Sequence, residues 1–156
     1  MFQTIRKDSR VFVMKMLIMG LPGAGKTYFA KRLQKHLNCA WYNADEMRRM
    51  SNDWDFTKDG RKRQAARMKT IADFESRFGR TVICDFVCPT RLTRKSFAPD
   101  VVIWMDTIKE GRFEDTNKMF EEPNKYDYRI ERLFTDKEIE ELGLTIRNQM
   151  RNEGKL

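Results

Sequence analysis

Gly20, Gly23 and Gly25 stand ahead of Lys26 and Thr27 in the run Gly20-Leu21-Pro22-Gly23-Ala24-Gly25-Lys26-Thr27, a spacing that suits one kind of chemistry. Phosphate oxygens need several amide donors converging from one side, and glycines let a backbone curl tightly enough to aim them there. Lys26 then extends to the β- and γ-phosphates, Thr27 offers its hydroxyl to magnesium, and a helix opening here turns its positive end toward the anion. Residues 20–27 are therefore read as the binding element for ATP with Mg2+, with Lys26 also catalytic and Thr27 a metal ligand.

Phosphoryl transfer further needs a group that polarises the acceptor hydroxyl and cations that neutralise the moving charge. Both belong at the carboxyl ends of neighbouring strands. Asp45 follows the apolar run 40–42, and Asp85 ends the run 81–84. Asp45 is expected to act in catalysis and to organise the metal. Asp85 is read either as a second functional carboxylate or as a strand-end residue bonded to backbone amides. Arg48, Arg61, Arg67, Arg91 and Arg94 follow these carboxylates at positions suited to clamping an anion, and arginine is the better fork for phosphate or sulfate. Ordinary surface exposure accounts for part of this set.

The elements that must position these groups are visible as apolar runs bounded by turn residues. Strands are predicted at 15–19, 40–42, 81–86 and 101–105, with a fifth near 128–130, and helical patterns at 26–37, 58–78 and 135–150 separate or follow them. Gly79 closes the second helix, and Thr135-Asp136-Lys137-Glu138 has the form of a capping box opening the last. Alternating strands and helices imply a parallel sheet. The fold class is accordingly α/β, a P-loop NTPase fold with a five-stranded parallel sheet and helices on both faces. Residues 1–13 are read as an N-terminal arm and 14–156 as one domain. Its segment 109–125, with Gly111, Pro123 and charges of both signs but no apolar period, is read as a short mobile lid or an ordinary connection.

With 156 residues there is room for one core and no second catalytic domain. Lys and Arg number 31 against 23 Asp and Glu, a net charge of +8 that favours anionic ligands without choosing among them. The clusters at 61–63 and 91–95 could face nucleic acid, yet no aromatic RNA-binding motif or zinc-finger spacing accompanies them, so a nucleic-acid partner is not expected. A lone histidine, His36, excludes a His-based metal site by count. Three cysteines, Cys39, Cys84 and Cys88, lack a framework spacing and point to reduced thiols in the cytoplasm. No apolar run reaches the roughly 20 residues of a membrane span, and the start makes a poor signal peptide.

Beyond the glycine loop, three further elements resemble the adenylylsulfate kinase family, in order and spacing, from about residue 16 to 128. The family's Asp-Gly-Asp-Asn-x-Arg looks like Asn43-Ala44-Asp45-Glu46-Met47-Arg48, and its Phe-Ser-x-x-Asp-Arg-x-x-Asn looks like Phe56-Thr57-Lys58-Asp59-Gly60-Arg61-Lys62-Arg63-Gln64. Its Ser-Pro-Tyr-Arg-x-x-Arg is similar to Cys88-Pro89-Thr90-Arg91-Leu92-Thr93-Arg94. The resemblance implies an ATP-dependent kinase for the 3′-hydroxyl of adenosine 5′-phosphosulfate. It makes Asp45 the acid-base or metal-organising residue, gives Arg48, Arg61, Gln64 and Arg91 the phosphosulfate nucleotide, stacks its adenine on Phe56, and assigns Arg94 to the developing charge. Members often pair, so a homodimer would fit.

Three positions depart from the family pattern: Gly60, Gln64 and Cys88 stand where it has Asp, Asn and Ser, and the lid is shorter, in a way similar to versions carried by viruses of bacteria. Two other acceptor classes stay open. Asp85-Phe86-Val87-Cys88-Pro89-Thr90-Arg91 also resembles the strand-end aspartate, proline and arginine of adenylate-type kinases, so a nucleoside monophosphate or sugar kinase is one alternative; a polynucleotide-end kinase using the arginine clusters is the other.

Overall fold

The computed structural model describes residues 13–154. Of the expected arm at 1–13, all but Val13 lies outside the described residues, and Val13 is already buried. Five strands, β1 Lys15–Met19, β2 Ala40–Asn43, β3 Val82–Asp85, β4 Val101–Met105 and β5 Tyr128–Ile130, form one sheet in the order β2-β3-β1-β4-β5. Every neighbouring pair is parallel. The apolar runs reach this arrangement because strands covered on both faces carry continuous rather than alternating hydrophobicity. In β1, Met16 and Ile18 enter one core and Leu17 and Met19 the other, following the two-residue strand period.

Helices close both faces. α1, Lys26–Leu37, places Phe29, Ala30, Leu33 and Leu37 in the first core, where Ile139, Ile146 and Met150 of the final helix meet them. α2, Ala44–Ser51, α3, Lys58–Arg77, and α4, Arg91–Phe97, cover the second core with Met47, Met68, Ala72 and Phe97. α5, Glu114–Met119, lies between β4 and β5, and α6, Asp136–Gly154, ends the described chain. The capping box predicted at α6 is present: Glu138 N donates to the Thr135 hydroxyl at 3.2 Å, and Thr135 N donates back to the Glu138 carboxylate at 3.0 Å.

Helices α2, α4 and α5 are additions to the sequence expectation, and α5 falls inside the segment expected to be a loop. Side-chain caps start two of them, with Asn43 accepting from Glu46 N at 2.9 Å and Thr90 from Thr93 N at 3.2 Å. The register brings the site together, because Asp85 pairs with Ile18 of β1 on one side and with Asn43 of β2 on the other. All three strand ends therefore finish level with the glycine loop that leaves β1. Among the described residues no helix is long and apolar enough to cross a membrane.

Candidate active site

The glycine loop is pressed against the end of β4. At Gly20, φ is +151°, and a Cβ there would stand 2.5 Å from the Met105 carbonyl oxygen, so glycine is the residue that fits. Gly25, at φ +95°, turns the chain into α1, whose N-terminus has no side-chain cap. Its first-turn amides are thus left for an anion, which fits the predicted phosphate site. Lys26 lies buried beneath the loop and donates through Nζ to the carbonyls of Gly20 and Leu21, each at 2.9 Å. Burial lowers its pKa to about 8, against the opposing attraction of Asp85 and then Asp45.

Asp85 is buried at the end of β3 and accepts from the Trp41 indole at 2.5 Å and from the Asn43 amide at 3.0 Å. Of the two sequence alternatives for Asp85, bonding to backbone amides is replaced by these two side-chain donors. Burial raises its pKa, while the Trp41 and Asn43 hydrogen bonds and the Lys26 charge oppose that rise. The same Asn43 nitrogen donates to the Thr27 hydroxyl at 3.0 Å. Asp45 occupies the first turn of α2 with its side chain exposed. Among the described residues no three His, Cys, Asp or Glu side chains cluster as a metal cage. Magnesium binds through one or two oxygens of the protein and otherwise through phosphate and water, and the residues proposed to hold it are Thr27 and Asp45, with Asp85 behind Asn43.

Around Phe56 the structure unites three of the residues predicted to bind the acceptor. The Arg48 guanidinium lies 4.2 Å from the centre of the Phe56 ring and the Arg61 guanidinium 5.7 Å from it. Arg48 is buried and bonded to the carbonyls of Asp53 and Asp55, whereas the Phe56 ring is 52% exposed. Gln64 points inward, donating to the Ala44 carbonyl at 2.9 Å and accepting from Arg67, which also pairs with Asp53. Arg91 is exposed and donates to Asn124 at 3.2 Å. Arg94, expected to meet developing charge, is buried and donates to the carbonyls of Cys88, Pro89 and Glu121 at 2.9, 3.0 and 2.5 Å, while its Nη1 lacks a partner.

Three site residues escaped the sequence pattern. Asn43 joins Thr27 to Asp85; its place in the strand-to-helix turn was the available signal. Thr107 donates to the Ala24 carbonyl at 2.7 Å, fixing the loop from beyond β4. Leu133, 55% exposed, reaches over the loop: its Cδ1 lies 3.1 Å from where a Cβ on Gly25 would be. Nothing in the spacing marks Thr107 or Leu133.

The sequence profile of adenylylsulphate kinase matches residues 13–103, more than half of the chain and all of the glycine loop, β2 to β3 and α4. The chain belongs to the adenylylsulphate kinase family. Solved structures agree on the fold. The Mycobacterium tuberculosis APS kinase, solved with AMPPNP and APS, superposes with a TM-score of 0.63 at 18% identity, over 88% of this chain and 97% of its own. A hexameric APS kinase from Thiobacillus denitrificans gives 0.67 at 23% identity, over 94% of this chain and 30% of its own. An unliganded sugar kinase from Janibacter sp. HTCC2649 gives 0.64 at 17% identity, over 92% and 99%. A search of curated proteins gave no match. Family and fold together make the chain a P-loop kinase, a phosphotransferase that uses ATP.

One departure from the family pattern has a steric setting, and a second sits in an unusual backbone conformation. At position 60, inside α3, a Cβ would collide with the carbonyl oxygen and carboxyl carbon of Asp55 and stand 2.7 Å from the Asp55 carbonyl carbon. The Asp55 carboxylate thus fills the space a side chain at 60 would need, and it is fixed there by Thr57 N at 2.9 Å and by Arg63. Cys88 sits at φ +46°, a left-handed conformation that Arg94 secures through the Cys88 carbonyl. Burial pushes its thiol up to about 12, so it stays protonated near neutral pH. All three cysteines are free and buried.

Proposed function

We propose that the chain transfers the terminal phosphoryl group of ATP to the 3′-hydroxyl of adenosine 5′-phosphosulfate, giving 3′-phosphoadenosine 5′-phosphosulfate. The observation that carries this reading is the half-exposed Phe56 ring with the guanidinium groups of Arg48 and Arg61 beside it. A half-exposed flat ring, backed by the buried Arg48 guanidinium and flanked by Arg61, suits an acceptor that presents both a base and an anionic tail. A small sugar acid would leave the ring without a partner.

In that reading the bond between the terminal phosphorus and the ADP oxygen breaks as the acceptor oxygen bonds to phosphorus. Asp45, exposed at the start of α2, takes the hydroxyl proton and passes it to solvent. Lys26 holds positive charge beneath the loop, and the amides of residues 23–27 orient the phosphates. Magnesium, when bound at Thr27 and Asp45, would neutralise charge on the phosphates. Arg94 acts as a positioning residue, keeping the turn at 88–89 and Glu121 together.

The test is ADP release from magnesium ATP with adenosine 5′-phosphosulfate, nucleoside monophosphates, gluconate and 5′-hydroxyl oligonucleotides as acceptors. Turnover with the phosphosulfate alone, lost in Lys26→Ala and Asp45→Asn, is the expected result. Turnover with another acceptor and none with the phosphosulfate would replace this acceptor while leaving the ATP site in place.

A further inference from the structure

Arg61 joins two parts of the molecule that the sequence keeps far apart. Its Nε donates to the Phe56 carbonyl at 2.9 Å, and its Nη2 donates to the Asp115 carboxylate at 3.0 Å. The Thr116 hydroxyl lies at 3.4 and 3.5 Å from the two terminal nitrogens. Asp115 and Thr116 belong to α5, beyond the stretch matched by the family profile. The other end of this segment rests on the phosphate loop. Gly111 N donates to the Asn117 side chain at 2.8 Å, Asn117 donates back to the Gly111 carbonyl at 3.0 Å, and a Cβ on Gly111 would stand 3.1 Å from the Pro22 carbonyl oxygen. Residues 111–117 therefore connect the ATP loop to the acceptor-side arginine.

We propose that Asp115 is a built-in competitor of the acceptor: its carboxylate occupies the Arg61 fork that an acceptor's anionic group requires, until that anion displaces it. This deepens the assignment of Arg61 to the acceptor and rests on it. Carboxylate, phosphate and sulfate oxygens are alternative partners for one planar guanidinium. The Asp115 side chain is 72% exposed against 20% for Arg61, so the pair is weak and readily exchanged on one side only. Thr116 offers a neutral oxygen at the limit of hydrogen-bond distance, so the charged partner of this arginine is Asp115.

The experiment is a double-mutant cycle on steady-state kinetics with adenosine 5′-phosphosulfate and ATP varied in turn. Asp115→Asn keeps the shape and removes the charge of an exposed residue; it is expected to lower the acceptor KM by about two- to fivefold and to leave the ATP KM unchanged. Arg61→Ala is expected to raise the acceptor KM, and in its background Asp115→Asn is expected to have no effect. If alanine at 61 prevents folding, Arg61→Lys serves, since it keeps the charge and loses the fork. An unchanged or raised acceptor KM in Asp115→Asn, with Arg61 shown to matter, overturns the competitor role alone. An acceptor KM indifferent to Arg61 overturns the assignment of Arg61 and the competitor role with it.

Discussion

The Asn43 amide donates to the Thr27 hydroxyl at 3.0 Å, so the residue that caps α2 also orients the oxygen proposed to meet magnesium. Two variants separate these tasks. Asn43→Ala removes both and is expected to cost about 1 kcal/mol of stability, for the lost cap, and to weaken magnesium binding about tenfold or more, for the lost orientation. Asn43→Ser keeps a capping oxygen but is too short to span Thr27 and Asp85. Its melting temperature should fall between the parent and the alanine variant, because the cap is kept but buried Asp85 loses one donor, while the magnesium requirement rises as in the alanine variant. A parental magnesium titration in Asn43→Ser would remove Asn43 from the site.

Glycine inside a helix ordinarily gains about 1 kcal/mol when replaced by alanine, and position 60 should do the reverse. The Asp55 backbone and carboxyl carbon occupy the space a Cβ needs, so Gly60→Ala is expected to destabilise by about 1–3 kcal/mol through overpacking. Gly60→Asp, the residue of the family pattern, should be worse, because it also sets a second carboxylate beside Asp55. Thermal unfolding followed by circular dichroism gives the sign directly. A higher melting temperature for Gly60→Ala would mean that the 53–57 loop yields freely.

What the sequence revealed and what it hid divide along a physical line. The phosphate loop was legible because one contiguous segment supplies its donors, its lysine and its hydroxyl, each of a type the chemistry dictates. Helices α1, α3 and α6 were legible from long apolar periods and, for α6, from Thr135 and Glu138. By contrast α2, α4 and α5 have 8, 7 and 6 residues, which is too few turns for a period to stand out. Spacing placed Arg61 and Gln64 on α3 without saying what their side chains would meet, and Arg94 stands on α4, a helix the pattern did not announce. Arg94 finds Glu121, and Arg61 finds Asp115, across loops whose course no local pattern encodes.

Arg94 gives the sharpest contrast between a clamp and a catalytic charge. Three backbone carbonyls from two separate segments take its guanidinium, and the left-handed turn at Cys88 is one of them. Hydrogen bonds from a charged donor contribute about 1.5–3 kcal/mol each when broken singly, and they overlap when lost together. Arg94→Lys is expected to lose about 2–4 kcal/mol, seen as a lower denaturation midpoint in urea, while keeping most of its kcat well below the melting temperature. An unchanged midpoint with a collapse in kcat would return Arg94 to the transferring phosphoryl group.

Lys26 connects the pH dependence of ATP binding to that of stability, with opposite signs. Burial lowers its pKa from 10.5 to about 8 in the free protein, Asp85 and Asp45 resisting. Unfolding restores the ordinary value, so between pH 8 and 10.5 the unfolded chain carries the extra proton and stability rises with pH across that window. Below about pH 8 both states are charged, and the contribution is constant. Phosphate oxygens favour the charged lysine, so binding raises its pKa, and ATP affinity falls as pH climbs past about 8. Calorimetry at pH 8 in buffers with different ionisation heats should therefore show uptake of about half a proton per ATP bound. Lys26→Arg, whose side chain stays charged throughout, should show no uptake. Equal heats in both buffers for the parent protein would mean that Lys26 is fully charged before ATP arrives, and that the two carboxylates outweigh its burial.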